Sequence, residues 1–319
     1  MSNSIFCGIL IFNSFLYSQS VIVSGYTAPG PVSVAPGQIA TFYIQLPGGT
    51  SANIIGITLS QLGSTNINVP VQSLRTVSEC AASTAVSQPA CASLLAVTVQ
   101  IPYELAPYCP LCARPVSATP PLLTINQGGQ PPAVIALNPL ADEIHVLTAC
   151  DVALGAAPQP NYTGLPCAPL VTHGDGTLVS PSSPANVGEG LTAWVFGLGQ
   201  TNPAASTGET VKIGAPAAET FNLDFNYSIN ALATKPVQTS PDRILIHPLY
   251  AGLAPGYVGL YQVNFTVPQG PQNGIAHCAL PGSFAPGANV PQSNLTVSIG
   301  GPFSFDGAGI CVNTQIPVD

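Results

Sequence analysis

Tyr261-Gln-Val-Asn-Phe-Thr-Val267 decides the fold. Apolar and polar residues alternate along it with a period of two, the pattern of a strand with one face buried and the other in water. Ala40-Thr-Phe-Tyr-Ile-Gln-Leu46 repeats the pattern. Working outward, strand-length runs recur at 39–46, 53–59, 94–101, 122–126, 134–137 and 144–148, then at 191–196, 220–229, 243–247, 258–267, 295–299 and 310–316. No window sustains a helical period. The 34 Pro and 31 Gly are spread through the 319 residues, so turns punctuate the whole chain. Many short strands between such turns predict an all-β fold built of β-sandwiches.

The halves divide at a Pro-rich stretch. Residues 21–148 read as a first sandwich, 149–169 as a linker and 170–319 as a second sandwich. A faint echo joins them. Gln100-Ile-Pro-Tyr-Glu-Leu-Ala-Pro107 ends a strand late in the first half, and Gln262-Val-Asn-Phe-Thr-Val-Pro268 does so late in the second.

Charge narrows the function classes. Charged residues are 6% of the chain, against about 25% in ordinary soluble domains. Five Lys and Arg against thirteen Asp and Glu leave a net charge of -8. That count cannot build a stripe that neutralises phosphates, which excludes nucleic acid and anionic membrane surfaces as partners. A hydrophobic share of 46% is ample for a core. The surface must then be made of Ser, Thr, Asn, Gln and backbone, which suits the cell exterior and dense packing against neighbours.

Residues 1–20 carry an apolar run, 5–17, too short to span a bilayer comfortably. It reads as a signal peptide cleaved near Ser18–Ser20, or as a retained N-terminal strand, because no Lys or Arg precedes it. Cys7 lies in this leader. The remaining eight, Cys80, Cys91, Cys109, Cys112, Cys150, Cys167, Cys278 and Cys311, form an even set that predicts four disulfides in an exported chain. About 105 connectivities are open. Pairing between neighbours is expected: Cys80–Cys91, Cys109–Cys112, Cys150–Cys167 and Cys278–Cys311. Cys109-Pro-Leu-Cys112 is not read as a redox dithiol, since Pro107, Pro110 and Pro115 crowd it and no helix follows.

No catalytic set emerges. His145, His173, His247 and His277 are scattered, without metal-like spacing. No Gly-x-Ser-x-Gly elbow exists. Asp142 and Glu143 are adjacent, and neighbours on a strand face opposite ways, so they make no glycosidase pair. With Asp151 they could offer oxygens to calcium, but solvated acids are the expectation. His173-Gly-Asp-Gly176 and Gly197-Leu-Gly199 read as turns. Trp194, the single Trp, is expected in a core. Neither a cofactor nor a metal is expected.

One stretch is specific enough to suggest a family. Tyr250-Ala-Gly-Leu-Ala-Pro-Gly-Tyr-Val-Gly-Leu-Tyr-Gln-Val-Asn-Phe-Thr-Val-Pro268 resembles the hallmark of a family of secreted acidobacterial proteins, catalogued as an uncharacterised C-terminal domain of Solibacter proteins. Leu191-Thr-Ala-Trp-Val-Phe-Gly-Leu-Gly-Gln-Thr-Asn-Pro203, Thr207-Gly208-Glu209 and residues 100–106 are similar to it too, so the resemblance spans about 94 to 299. It implies tandem immunoglobulin-like sandwiches in an exported protein, and it brings no catalytic residues to transfer. The chain departs from the family by its added cysteines and by loops such as 279–292. Read physically, Gly252, Gly256 and Gly259 allow tight turns, Pro255-Gly256 is a turn signal, and Tyr250, Tyr257 and Tyr261 surround a strand start. Tyr257 or Tyr261 could make a tyrosine-corner hydrogen bond. A structural corner is expected rather than a ligand platform. The functional expectation is a non-catalytic extracellular structural or adhesive protein that associates with itself or with surface and matrix components. In its bolder form it is a filament subunit whose leader completes a neighbour's sheet. The alternative is a carbohydrate-binding module.

Overall fold

A computed structural model describes residues 21–23, 26–27, 31–45, 54–78, 93–107, 120–149, 151, 168–236, 244–271, 274–278 and 293–313. The named elements are all strands. No described helix is long and apolar enough to cross a membrane.

The first half is built of two sheets. One contains β1 (Val21–Val23), β2 (Tyr26–Thr27), β4 (Ile39–Gln45), β7 (Val71–Ser78) and β8 (Ser93–Gln100), in the order β2-β1-β4-β8-β7. The other contains β3 (Val32–Val34), β5 (Ile54–Gln61), β6 (Ser64–Asn68), β9 (Leu122–Gln127) and β10 (Ala133–Pro139), in the order β3-β10-β9-β5-β6. All their described pairings are antiparallel except β3 with β10, which is parallel. Alternation fixes which face goes inward. Leu123 and Ile125 of β9 are buried, while Leu122, Thr124 and Asn126 are half-buried. Phe42, Ile44, Val97 and Val99 of one sheet meet Ile57, Leu59, Leu123, Ile125 and Ile135 of the other in one core. Each such side chain contributes about 1.5–3 kcal/mol relative to full exposure.

The second half repeats the plan. Its first sheet runs β11 (His145–Val146), β13 (Gly190–Phe196), β18 (Tyr261–Thr266), β17 (Tyr250–Leu253), β14 (Ala215–Pro216), with β12 (Val171–Thr172) also on β13. The second runs β16 (Ile244–Ile246), β15 (Asn222–Asn226), β19 (Leu295–Gly300), β20 (Phe305–Ile310). Leu191, Val195, Val263 and Phe265 pack on Leu223, Phe225, Val297 and Ile310. The Phe225 and Phe265 rings are tilted, with centroids 5.8 Å apart.

Three expectations need correction. The run 144–148 belongs to the second half: His145 and Val146 pair with Phe196 and Val195 of β13. The crossing therefore lies just after β10, and Asp142 anchors it. The Asp142 side-chain oxygens, fully buried, accept from the N–H groups of Phe303 and Ser304 and from the Ser304 hydroxyl. The expected linker 149–169 does not separate the halves. It leaves and rejoins one sheet, since Ala149 N–H donates to the Ala168 carbonyl at 2.7 Å and Thr148 bridges Pro169. Finally, Trp194 is not in the inter-sheet core. Leu191, Ala193 and Val195 take the inward positions of β13, so Trp194 falls on the outer face, half-buried, with its indole N–H donated to the Thr172 hydroxyl at 3.2 Å.

Candidate functional site: the joint between the halves

The two stretches singled out in the sequence meet where the halves join. β8 ends at Gln100, and residues 101–105 then run out of the sheet with an alternation of their own. Ile101 and Leu105 point into the first core, while Tyr103 enters the second. This segment is a staple whose teeth lie in different cores.

Tyr103 is held on every side. Its backbone N–H donates to the Thr207 hydroxyl at 2.9 Å, and its carbonyl accepts from the Gln200 amide at 2.6 Å. Its hydroxyl lies 3.0 Å from that of Tyr261, which is fully buried. The Tyr261 hydroxyl spends its proton on the Gly199 carbonyl at 2.5 Å. Tyr103 is therefore the donor of the pair. Burial drives the pKa of both phenols up, that of Tyr261 well above the usual value, so both stay neutral.

The close approach requires glycine. Gly37 has φ +77°, and a Cβ there would lie 2.3 Å from the Tyr103 ring. A Cβ on Gly259 would lie 2.7 Å from the Gly37 carbonyl oxygen, and one on Gly199 would overlap that of Ala141. Gly197, also at positive φ, lets the Glu143 N–H reach the Gly197 carbonyl at 2.8 Å. Polar contacts ring these apolar teeth. Fully buried Gln100 accepts from the Gly208 N–H at 2.6 Å, and Glu104 accepts from the Thr207 hydroxyl at 2.6 Å.

The hallmark stretch thus divides its work. Tyr261 and Gly259 serve the joint. Pro255-Gly256 turns the chain, with Gly256 at φ +83°. The Tyr250 hydroxyl donates to the Leu253 carbonyl at 3.0 Å, while Tyr257 is exposed. Gly252 admits β14: a Cβ there would lie 2.4 Å from the Ala215 oxygen.

The cysteine expectations fall mostly elsewhere. Cys80, Cys91, Cys109, Cys112, Cys150 and Cys167 lie outside the described residues. Cys278 and Cys311 are disulfide-bonded, with Cα atoms 5.5 Å apart. Buried Asn294 pins the same two segments, donating its amide to the carbonyls of Ala276 and Val312.

Two polar clusters were not legible in the sequence. His145 lies 3.1 Å from Asp151 and 3.6 Å from Asp306, and hydrogen bonds to these two acids raise its pKa to about 9. Two of the acids considered for calcium therefore have other work, Asp151 on His145 and Asp142 on the 303–304 turn. Among the described residues no group of His, Cys, Asp and Glu could hold a metal ion. The second cluster resembles a triad: His173 Nδ1 is 2.5 Å from Glu189, and Nε2 is 3.3 Å from Ser183 Oγ. The Ser183 carbonyl, also 3.1 Å from Nε2, can only accept. The Glu189 carboxylate beside Nδ1 raises the His173 pKa. The cluster ties residues 173, 183 and 189 together.

No protein-family profile matches the chain, and a search of curated proteins finds no match.

Proposed function

We propose that the protein is a non-catalytic extracellular structural or adhesive subunit made of two immunoglobulin-like sandwiches locked into one rigid piece. The joint carries this reading. The most distinctive stretches of the chain are engaged in holding the halves together, with aromatic, glycine and amide groups turned inward on one another. A fixed two-module rod transmits force and spaces attachment points, which suits scaffolding.

Strand order supports the immunoglobulin-like part. In the first half β1-β4-β8-β7 matches strands A-B-E-D, and β10-β9-β5-β6 matches G-F-C-C′. In the second, β11-β13-β18-β17 and β20-β19-β15-β16 repeat both orders. The echo of residues 100–107 and 262–268 then falls at the end of strand E in each unit, as two copies of one ancestral module would have it. The Cys278–Cys311 bond favours an oxidising, extracellular compartment. Membership of the secreted acidobacterial family belongs to the same proposal and rests on the hallmark residues.

The test is sedimentation of the purified chain over a wide concentration range, together with pull-down on cell-surface and matrix material of its source. Self-association or retention on that material is expected. A chain that stays monomeric and is not retained contradicts the reading.

One observation favours the glycan alternative. Trp194 shares the outer face of its sheet with Thr192, Gln262 and Asn264, a ring among hydroxyl and amide groups. Binding to a glycan array that is lost in Trp194→Ala would favour it, and an array without hits would remove it.

A further inference from the structure

We propose that Asn226 is an N-glycosylation site, which receives an oligosaccharide from a lipid-diphosphate-linked donor during export. The proposal rests on the extracellular reading, because such donors serve chains that leave the cytosol, and it adds the atom that is modified. The acceptor pattern is Asn-x-Ser/Thr with x other than Pro, and it occurs at Asn161, Asn226, Asn264 and Asn294.

The fold sorts the four by where a sugar can remain. Asn161 lies outside the described residues. Asn294 is buried, its amide donates to two carbonyls, and its Oδ1 accepts from the Val312 N–H. Asn264 stands within β18 between β13 and β17, with its Oδ1 taken by the Thr192 hydroxyl. Asn226 differs. It is half-buried at the last position of β15, and Ser228, Ile229 and Asn230 beyond it are exposed. Residues two apart on an extended segment share a side. Asn226 and Ser228 therefore stand together, with the Ser228 hydroxyl donated to Asn226 Oδ1 at 2.8 Å. Tyr227 between them turns back onto the core, and its hydroxyl donates to the Pro268 carbonyl. Asn226 alone of the four also has an acid two residues before it, Asp224, where the others have Gln159, Gln262 and Gln292. A transferase that asks for a carboxylate there takes this site only. Asp224 is buried in the finished sheet, which puts that reading before β15 pairs.

In the transfer Asn226 Nδ2 bonds to the anomeric carbon of the sugar. The bond from that carbon to the diphosphate oxygen breaks, the lipid diphosphate leaves with the electron pair, and the amide gives one proton to a carboxylate of the transferase. The product has a use at this place. Ile229 and Leu232 are 47% and 85% exposed. Their segment crosses beside the acceptor, since the Ala231 carbonyl accepts from Thr296, the residue opposite Asn226 in the β15–β19 pair. A bulky, solubilising group there covers apolar surface in a chain whose charged residues are 6% of the total.

The test is peptide mass spectrometry of the full chain isolated from its source, before and after an amidase that releases Asn-linked sugars and leaves aspartate. The peptide holding residue 226 should carry a sugar mass, and after release it should read Asp at 226. Asn226→Gln and Ser228→Ala should each abolish the sugar, while Ser228→Thr and Asn264→Gln should keep it. Ser228 is exposed, so Ser228→Ala removes the acceptor pattern without touching the core. A bare Asn226 in protein recovered outside the cell, or a sugar at Asn264 or Asn294 instead, would overturn the site and leave the extracellular reading standing. A bare Asn226 in protein confined to the cytosol would overturn both.

Discussion

β7 and β17 hold the same place in the two halves, each flanking the strand that leads to the joint, but among the described residues only β17 carries a further strand on its outer side. β14 lies on β17, and its Pro216 offers no N–H to a further strand. It can approach because residue 252 is glycine, where a Cβ would meet the Ala215 oxygen at 2.4 Å and Pro216 Cα at 2.7 Å. β7 carries neither device. Among the described residues the same plan thus carries an added strand in one half and none in the other.

The largest expected effect comes from reopening the closed edge. Gly252→Val should expel β14 and destabilise the chain by about 1–3 kcal/mol or more, as overpacking does. Urea unfolding would measure the loss, and new aggregation would report the opened edge. If stability and solubility are unchanged, β14 does not seal the sheet.

A smaller effect probes the joint that both edges flank. Tyr103→Phe removes the donor to Tyr261 while Tyr261 keeps its bond to Gly199. The loss should be about 1 kcal/mol. Tyr261→Phe should cost more, because it also leaves the Gly199 carbonyl without its donor. The reverse order would contradict the assigned donor direction.

The smallest effect concerns the contact of His145 with Asp306 of β20. His145 has a folded pKa of about 9, above its unfolded value of about 6.5. Its contribution is therefore complete below the unfolded value and is lost as pH rises through about 9. Its side chain is 45% exposed, so solvent screening should hold the contribution below about 1 kcal/mol. The stability difference between wild type and His145→Gln should shrink between pH 7 and pH 10. A difference that grows over that window has the wrong sign for this pair.

Legibility in the sequence followed the same contrast. β4, β9, β13 and β18 were readable because one face of each is buried and period two survives. β7 was not, because a register shift interrupts it and its residues keep no apolar period. Residues 144–148 were readable as a strand but not in their allegiance, which is set by pairing with β13 some fifty residues later. Gly259 and Tyr261 were picked out in the hallmark stretch, and both lie at the joint. Their partners, Gly37 and Tyr103, could not be found from spacing, since a contact across 158 residues leaves no local period. Trp194 was misplaced because an apolar run hides which face each member takes until a neighbour fixes the register.

The central claim is that the halves are locked together through Tyr103, Tyr261 and the glycines beneath them. Scanning calorimetry of the wild type beside Gly37→Val tests it most directly. The added side chain would collide with the Tyr103 ring at a backbone angle that disfavours it. The account predicts one cooperative transition for the wild type and two separated transitions for the variant. Two transitions in the wild type, or a single unshifted one in the variant, would contradict it.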